Sequence, residues 1–191
     1  MQTETTAQEQ AINGVRVDRF AATLDNVKQE ARLAKFTFRS QSHWMGGSHI
    51  RTTVRDFTQD HEDRSRKKPF FMEAGEPDVL LGRDEGPTPF EAVLHALASC
   101  LSISFIYHAA AQEVRIDELD LELQGGLDLR GFLGLSREVR NGFENLKATY
   151  CVKSSASKEK LDELCRLAQR RSPVFDVISN PVPVSVHLQK Q

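Results

Sequence analysis

The chain has 191 residues, enough for one domain with a substantial core, and 39% hydrophobic and 27% charged residues mark an ordinary soluble protein. A formal net charge of −2 argues against nucleic acid or an anionic membrane as partner, and the one basic run, "RSRKK" at 64–68, reads as a solvated loop. The first ten residues are polar and acidic where an export signal is basic and then apolar. With three cysteines and no Cys-x-x-Cys pair, they point to the cytosol and reduced thiols.

Residues 1–13 read as polar and frayed, and 1–35 as an N-terminal extension carrying a short amphipathic helix within Val15–Leu33. The main domain, 36–191, opens with two β-rich runs flanking Gly46-Gly47, a hairpin signal, and "PFFMEA" at 69–74 follows as a third strand. After a turn-rich loop, Thr88, Pro89 and Glu91 form a capping box with proline at the first helical position. The helix they start runs to about Gln112 and carries no charge after Glu91 until Glu113. It is almost long enough to span a bilayer, but His95, His108 and three serines lie in it, with polar globular sequence on both sides. A fully buried helix fits better.

Three strands are expected next: one containing alternating Leu119, Leu121 and Leu123, one near "SREVR", and "FENLKATYCVK", the last two joined by an Asn141-Gly142 turn. "SKEKLDELCRLAQ" is a second amphipathic helix with Leu161, Leu164, Cys165 and Ala168 on one stripe. Val182, Val184, Val186 and Leu188 alternate in a closing strand. Helices and strands interleave without a βαβ period, which makes the class α+β.

The thiols differ in setting. Cys151 falls on the polar face of its strand with Lys147, Thr149 and Lys153, as a bystander. Cys165 lies on an apolar stripe and reads as packing. Cys100 shares its helix face with Val93, Ala96, Leu97, Ile103, Ser104 and Tyr107. Burial alone would make such a thiol inert, so reactivity needs a cation from elsewhere in the fold, most simply an arginine. On the residues alone, a structural and a reactive Cys100 both stay open. The six histidines, His43, His49, His61, His95, His108 and His187, have no ligand spacing, and no nucleotide-binding or serine-hydrolase motif is present. No metal and no cofactor is expected.

"LLGRDEGPTPFEAVLHALASCLSISF" resembles the first-cysteine helix of the OsmC/Ohr family, the osmotically induced and organic-hydroperoxide-resistance proteins. "ELCRLAQRRSPVFDVISNPVPVSVHL" is similar to that family's second-cysteine helix and closing strand, and "LQGGLDLRGFLGL" fits a divergent branch. The resemblance spans roughly 36–189. It implies an α+β fold with sheets packed around two central helices in an intertwined homodimer. It also implies peroxide reduction by a thiolate that becomes a sulfenic acid, which a second cysteine condenses with to a disulfide.

Cys100 then takes the attacking position, while Ser172-Pro173 stands where the family has its second Cys-Pro. Cys165 is two turns earlier, about 10 Å along an ideal helix, and serves as resolving thiol only if the helices cross at another level. Glu91 matches the pattern's glutamate, yet the capping box explains it without chemistry, and it sits about 180° around the helix from Cys100. Arg51 is the candidate activating arginine, with Arg39 and Arg55 as competitors. The implied function is thiol-dependent reduction of organic or hydrogen peroxides at Cys100 with an external thiol reductant and no internal disulfide. The alternative is a non-enzymatic OsmC-like module binding a small apolar or electrophilic ligand.

Overall fold

The structure, a computed structural model, describes residues 11–190. The expected fraying of residues 1–10 lies outside them. Residues 11–13 are not frayed. β1 (Ala11–Ile12) pairs with β2 (Val15–Arg16) across Asn13-Gly14, both at positive φ (53° and 76°). These are the left-handed conformations that Asn and Gly adopt most readily. The Asn13 amide then works as a substitute backbone unit: its Nδ2 donates to Val114 O and its Oδ1 accepts from Ile116 N–H, each at 2.9 Å. Ile12 is buried.

The described residues fall into two compact units, one of residues 15–93 with Ala11, the other of 12–14 and 94–190. In the first, α1 (Val17–Gln29) is the expected amphipathic helix. The sheet beyond it consists of β3 (Phe36–Phe38), β4 (Gln41–Gly46), β5 (His49–Gln59) and β6 (Glu62–Ala74). All pairings are antiparallel, with β5 between β6 on one side and β3 and β4 on the other. Gly46 and Gly47, at φ 120° and 57°, make the expected hairpin turn. "RSRKK" is not a loop: 64–68 lie within β6, because β5 turns tightly through Asp60-His61 at φ 52° and 63° and starts pairing at once. It is nevertheless mostly solvent-facing, apart from the half-buried Arg66, which lies over the Phe57 and Phe70 rings at 5.4 and 5.7 Å.

The second unit is organised by α2 (Pro89–Ala111) and α4 (Lys158–Arg171). Leu97, Leu101, Phe105 and Ala109 of α2 recur every fourth residue and form its buried stripe. Phe105 and Ala109 meet Leu164 and Ala168 of α4 in a core with no solvent exposure. β7 (Glu118–Gly126) and β8 (Asn145–Lys153) pair antiparallel in full register and cover that core with Leu119, Tyr150 and Val152. The alternation expected for Leu119, Leu121 and Leu123 is observed. This is the expected α+β organisation.

α2 is long and apolar enough to cross a membrane by length and composition. It is not fully buried, however. Leu97, Leu101, Phe105 and Ala109 are buried, while Ile103 and Tyr107 are about half exposed.

Two further expectations fail. "SREVR" forms no strand: 127–144 hold a short α3 (Leu129–Phe132), started by Asp128 accepting from Arg130 N–H, and turns. Asn141-Gly142 therefore joins no strand pair. The arginines and glutamate of that stretch offer no apolar face to bury, so the local cap decides. Residues 181–190 are likewise not in a strand, although the alternation is there, since no sheet edge pairs with them among the described residues. Val186 and Leu188 are 89% and 96% exposed.

Candidate functional site

The helix that carries Cys100 starts as its sequence dictates. Glu91 Oε2 accepts from Thr88 N–H at 2.8 Å and from Thr88 Oγ1 at 2.9 Å, while Glu91 N–H donates to Thr88 Oγ1 at 3.2 Å. Those bonds hold the Glu91 carboxyl below the ordinary carboxylate range, with the Thr88 backbone N–H as the largest cause. About two and a half turns beyond Glu91, Cys100 is half-buried, between the buried Leu97 and Leu101 and the exposed Ile103.

Ser172 approaches that sulfur from the junction of two helices. It ends α4 and starts α5 (Pro173–Ser179), with Pro173 at the first helical position. Its Oγ accepts from Phe175 N–H at 3.2 Å and donates to Cys100 Sγ at 3.1 Å. Ser172 is 2% exposed, so the donor end of this contact is buried, while Cys100 keeps partial exposure.

Cys165 packs against the core of Phe105, Ala109, Leu164 and Ala168, as expected for a small hydrophobe. Burial, and then the Asp162 charge, push its thiol above the ordinary value. Tyr150 packs tilted against Phe105 with ring centroids 5.2 Å apart, and its buried Oη has no hydrogen-bond partner among the described residues. Burial pushes the phenol up, and negative charge at Cys165 and at Cys100 adds to this. Cys151 is exposed on the outer face of β8, and all three thiols are free.

In the first unit, Arg51 does not stand free. Its Nε donates to Glu73 Oε1 at 2.7 Å across the β5–β6 pair, and His49 Nε2 meets Glu73 Oε2 at 2.8 Å. His49 and Arg51 together hold the Glu73 carboxyl below its ordinary value. Arg39 and Arg55 make longer pairs with Asp63 and Asp56, at 3.5 and 3.9 Å. No group of three or more metal-ligating side chains is assembled among the described residues.

A family model described as OsmC-like protein matches residues 82–187, more than half of the chain and all of the Cys100 and Ser172 elements. The chain belongs to the OsmC-like protein family. No curated protein matches it. The fold is shared with an OsmC-like protein from Mycoplasma pneumoniae at 15% identity and TM-score 0.58, over 76% of this chain and 89% of that one. It is also shared with an organic hydroperoxide resistance protein OsmC from Legionella pneumophila at 15% identity and TM-score 0.53, over 75% and 90%.

Of the sequence-stated residues of this OsmC-like chain, the structure brings Cys100 and Ser172 into direct contact and gives Glu91 to the helix cap. Arg51 lies in the first unit and Cys100 in the second. Glu73 and the Tyr150 hydroxyl carry no signal in the sequence, and His49 appears there only as one of the histidines without ligand spacing. α5 went unnoticed, although its signal is there: Ser172, Pro173 and Asp176 are an N-cap, a first-position proline and a first-turn acid.

Proposed function

We propose that this protein reduces hydroperoxides at Cys100 with an external low-mass thiol, in cytosolic defence against oxidative stress. The observation that carries the reading is the Cys100 sulfur, half-buried beside exposed apolar side chains and receiving a hydrogen bond from a buried hydroxyl. Family membership supports it. Arg51, paired with Glu73, is the arginine proposed to activate the thiol.

The chemistry balances without a second cysteine. The Cys100 thiolate attacks the terminal oxygen of ROOH, the O–O bond breaks, and the departing alkoxide takes a proton to become ROH. Cys100 is left as sulfenic acid, oxidised by two electrons. One external thiol condenses with it, releasing water and forming a mixed disulfide. A second thiol attacks the external sulfur of that disulfide, frees Cys100 and leaves joined to the first thiol as their disulfide.

The reading includes a homodimer. The exposed side of α2, the outward aromatic residues Phe38, Trp44, Phe70 and Phe71, and the unpaired 181–190 segment are what a second copy would cover. Light scattering at low micromolar concentration should return about twice the chain mass.

The deciding measurement is turnover of an organic hydroperoxide with a supplied thiol. Turnover should be clear in the unmodified chain and reduced to background in Cys100→Ser. Equal rates in the two would leave the non-enzymatic ligand-binding module as the reading.

A further inference from the structure

We infer that Ser172 is a working part of the Cys100 site: its hydroxyl is a permanent hydrogen-bond donor that holds negative charge on the sulfur and fixes the direction in which the sulfur points. The inference rests on the thiol-peroxidase reading above and adds a second residue to it.

The backbone fixes Ser172 from both sides. Its N–H donates to Gln169 O, closing α4, and its carbonyl accepts from Asp176 N–H, opening α5. The side chain is fixed as well. A hydroxyl has one proton to give and two lone pairs to receive with. Phe175 N–H occupies the acceptor side of Ser172 Oγ, and the Oγ proton goes to Cys100 Sγ at 3.1 Å. At 2% exposure no bulk solvent competes for that proton. A charged acceptor takes a stronger hydrogen bond than a neutral one, and burial strengthens it again. The bond therefore strengthens as negative charge builds on the sulfur.

Ser172 keeps its proton throughout the reaction. The sulfur gains its oxygen from the peroxide, the alkoxide is protonated from solvent, and no bond forms between 172 and 100. The oxidised sulfur remains open to an external thiol.

The test uses the full-length chain with Ser172→Ala, Ser172→Gly and Ser172→Thr. Glycine is nearly as good an N-cap as serine, so Ser172→Gly removes the hydroxyl while keeping the start of α5. Three quantities are read: the pH profile of iodoacetamide alkylation at Cys100 by peptide mass, organic hydroperoxide turnover, and thermal unfolding. Ser172→Ala and Ser172→Gly should move the alkylation profile to the alkaline side and slow alkylation near neutral pH by about 3- to 10-fold. Ser172→Thr should retain the original profile. Profiles of Ser172→Ala and Ser172→Gly that superimpose on the unmodified chain overturn the inference, whatever the turnover. If those profiles move while the unmodified chain reduces no hydroperoxide, the donor role stands and the peroxidase reading falls.

Discussion

The Ser172 hydroxyl and the Cys100 sulfur are 3.1 Å apart across 72 residues of sequence. A sulfur in place of that oxygen would start within a small side-chain rotation of the roughly 2.05 Å disulfide bond. Ser172→Cys should therefore respond to organic hydroperoxide, without added thiol, by losing the mass of two hydrogens as a bridge to Cys100 forms. Intact-mass analysis reads this directly. A variant that instead accumulates oxygen at Cys100 would show that position 172 does not serve as the place of a resolving thiol.

In the unmodified chain the order of oxidation should follow the settings of the thiols. Cys100 should be modified first by mild hydroperoxide, ahead of the exposed Cys151. Cys165, packed on the core and with its thiol pushed up by burial, should remain reduced. The Cys100 sulfenic acid should persist, be captured by an added thiol, or over-oxidise to the sulfinic form. Rapid formation of a Cys100–Cys165 disulfide would make Cys165 the resolving thiol and displace the packing role given to it.

Thr88 and Glu91 separate a cap from a catalyst. Thr88→Ala should lower stability by about 1 kcal/mol with hydroperoxide turnover retained in the folded protein. Glu91→Gln preserves the reciprocal bond and should have little effect on either. The Glu91 carboxyl is held below its ordinary value of 4.5, so its contribution is present above that pH and lost as pH falls through the folded value. Glu91→Gln should flatten this acid-side loss in a pH series of melting curves. Loss of turnover in Glu91→Gln without loss of stability would assign Glu91 to the chemistry.

Tyr150 gives the opposite sign. Its phenol is raised above the ordinary 10.0, so the folded chain holds this proton more tightly than the unfolded chain does. That stability is complete below pH 10.0 and declines as pH rises towards the folded value. Tyr150→Phe should flatten the decline in alkaline denaturation curves. Near neutral pH it should change stability by no more than about 1 kcal/mol, because it also removes a buried hydroxyl with no described partner. A loss of several kcal/mol would show that the hydroxyl is bonded in solution.

The Cys100 helix was legible from its own residues. Thr88, Pro89 and Glu91 fix its start, and its uncharged length fixes its persistence, because capping and apolar periodicity act over a few residues. The stripe of Leu161, Leu164, Cys165 and Ala168 is of the same kind. Sheet membership was less so. Val182 to Leu188 have a strand's alternation and no partner among the described residues, since a strand needs a neighbour that its own sequence cannot supply.

Register lay further out of reach. Gln59 pairs with Glu62 across the Asp60-His61 turn, and counting back from there places Phe70 opposite Arg51. The irregularity between Val54 and Asp56 shifts the pairing, and Glu73 arrives there instead. That shift makes the His49–Glu73–Arg51 cluster, and no local pattern announces it. Sequence likewise singled out both Cys100 and Ser172, but could describe Ser172 only as a cysteine not there. Its contact with Cys100 depends on where α4 ends beside α2. Packing between helices decides that, because side chains far apart in sequence meet only after the core has chosen which helix faces it.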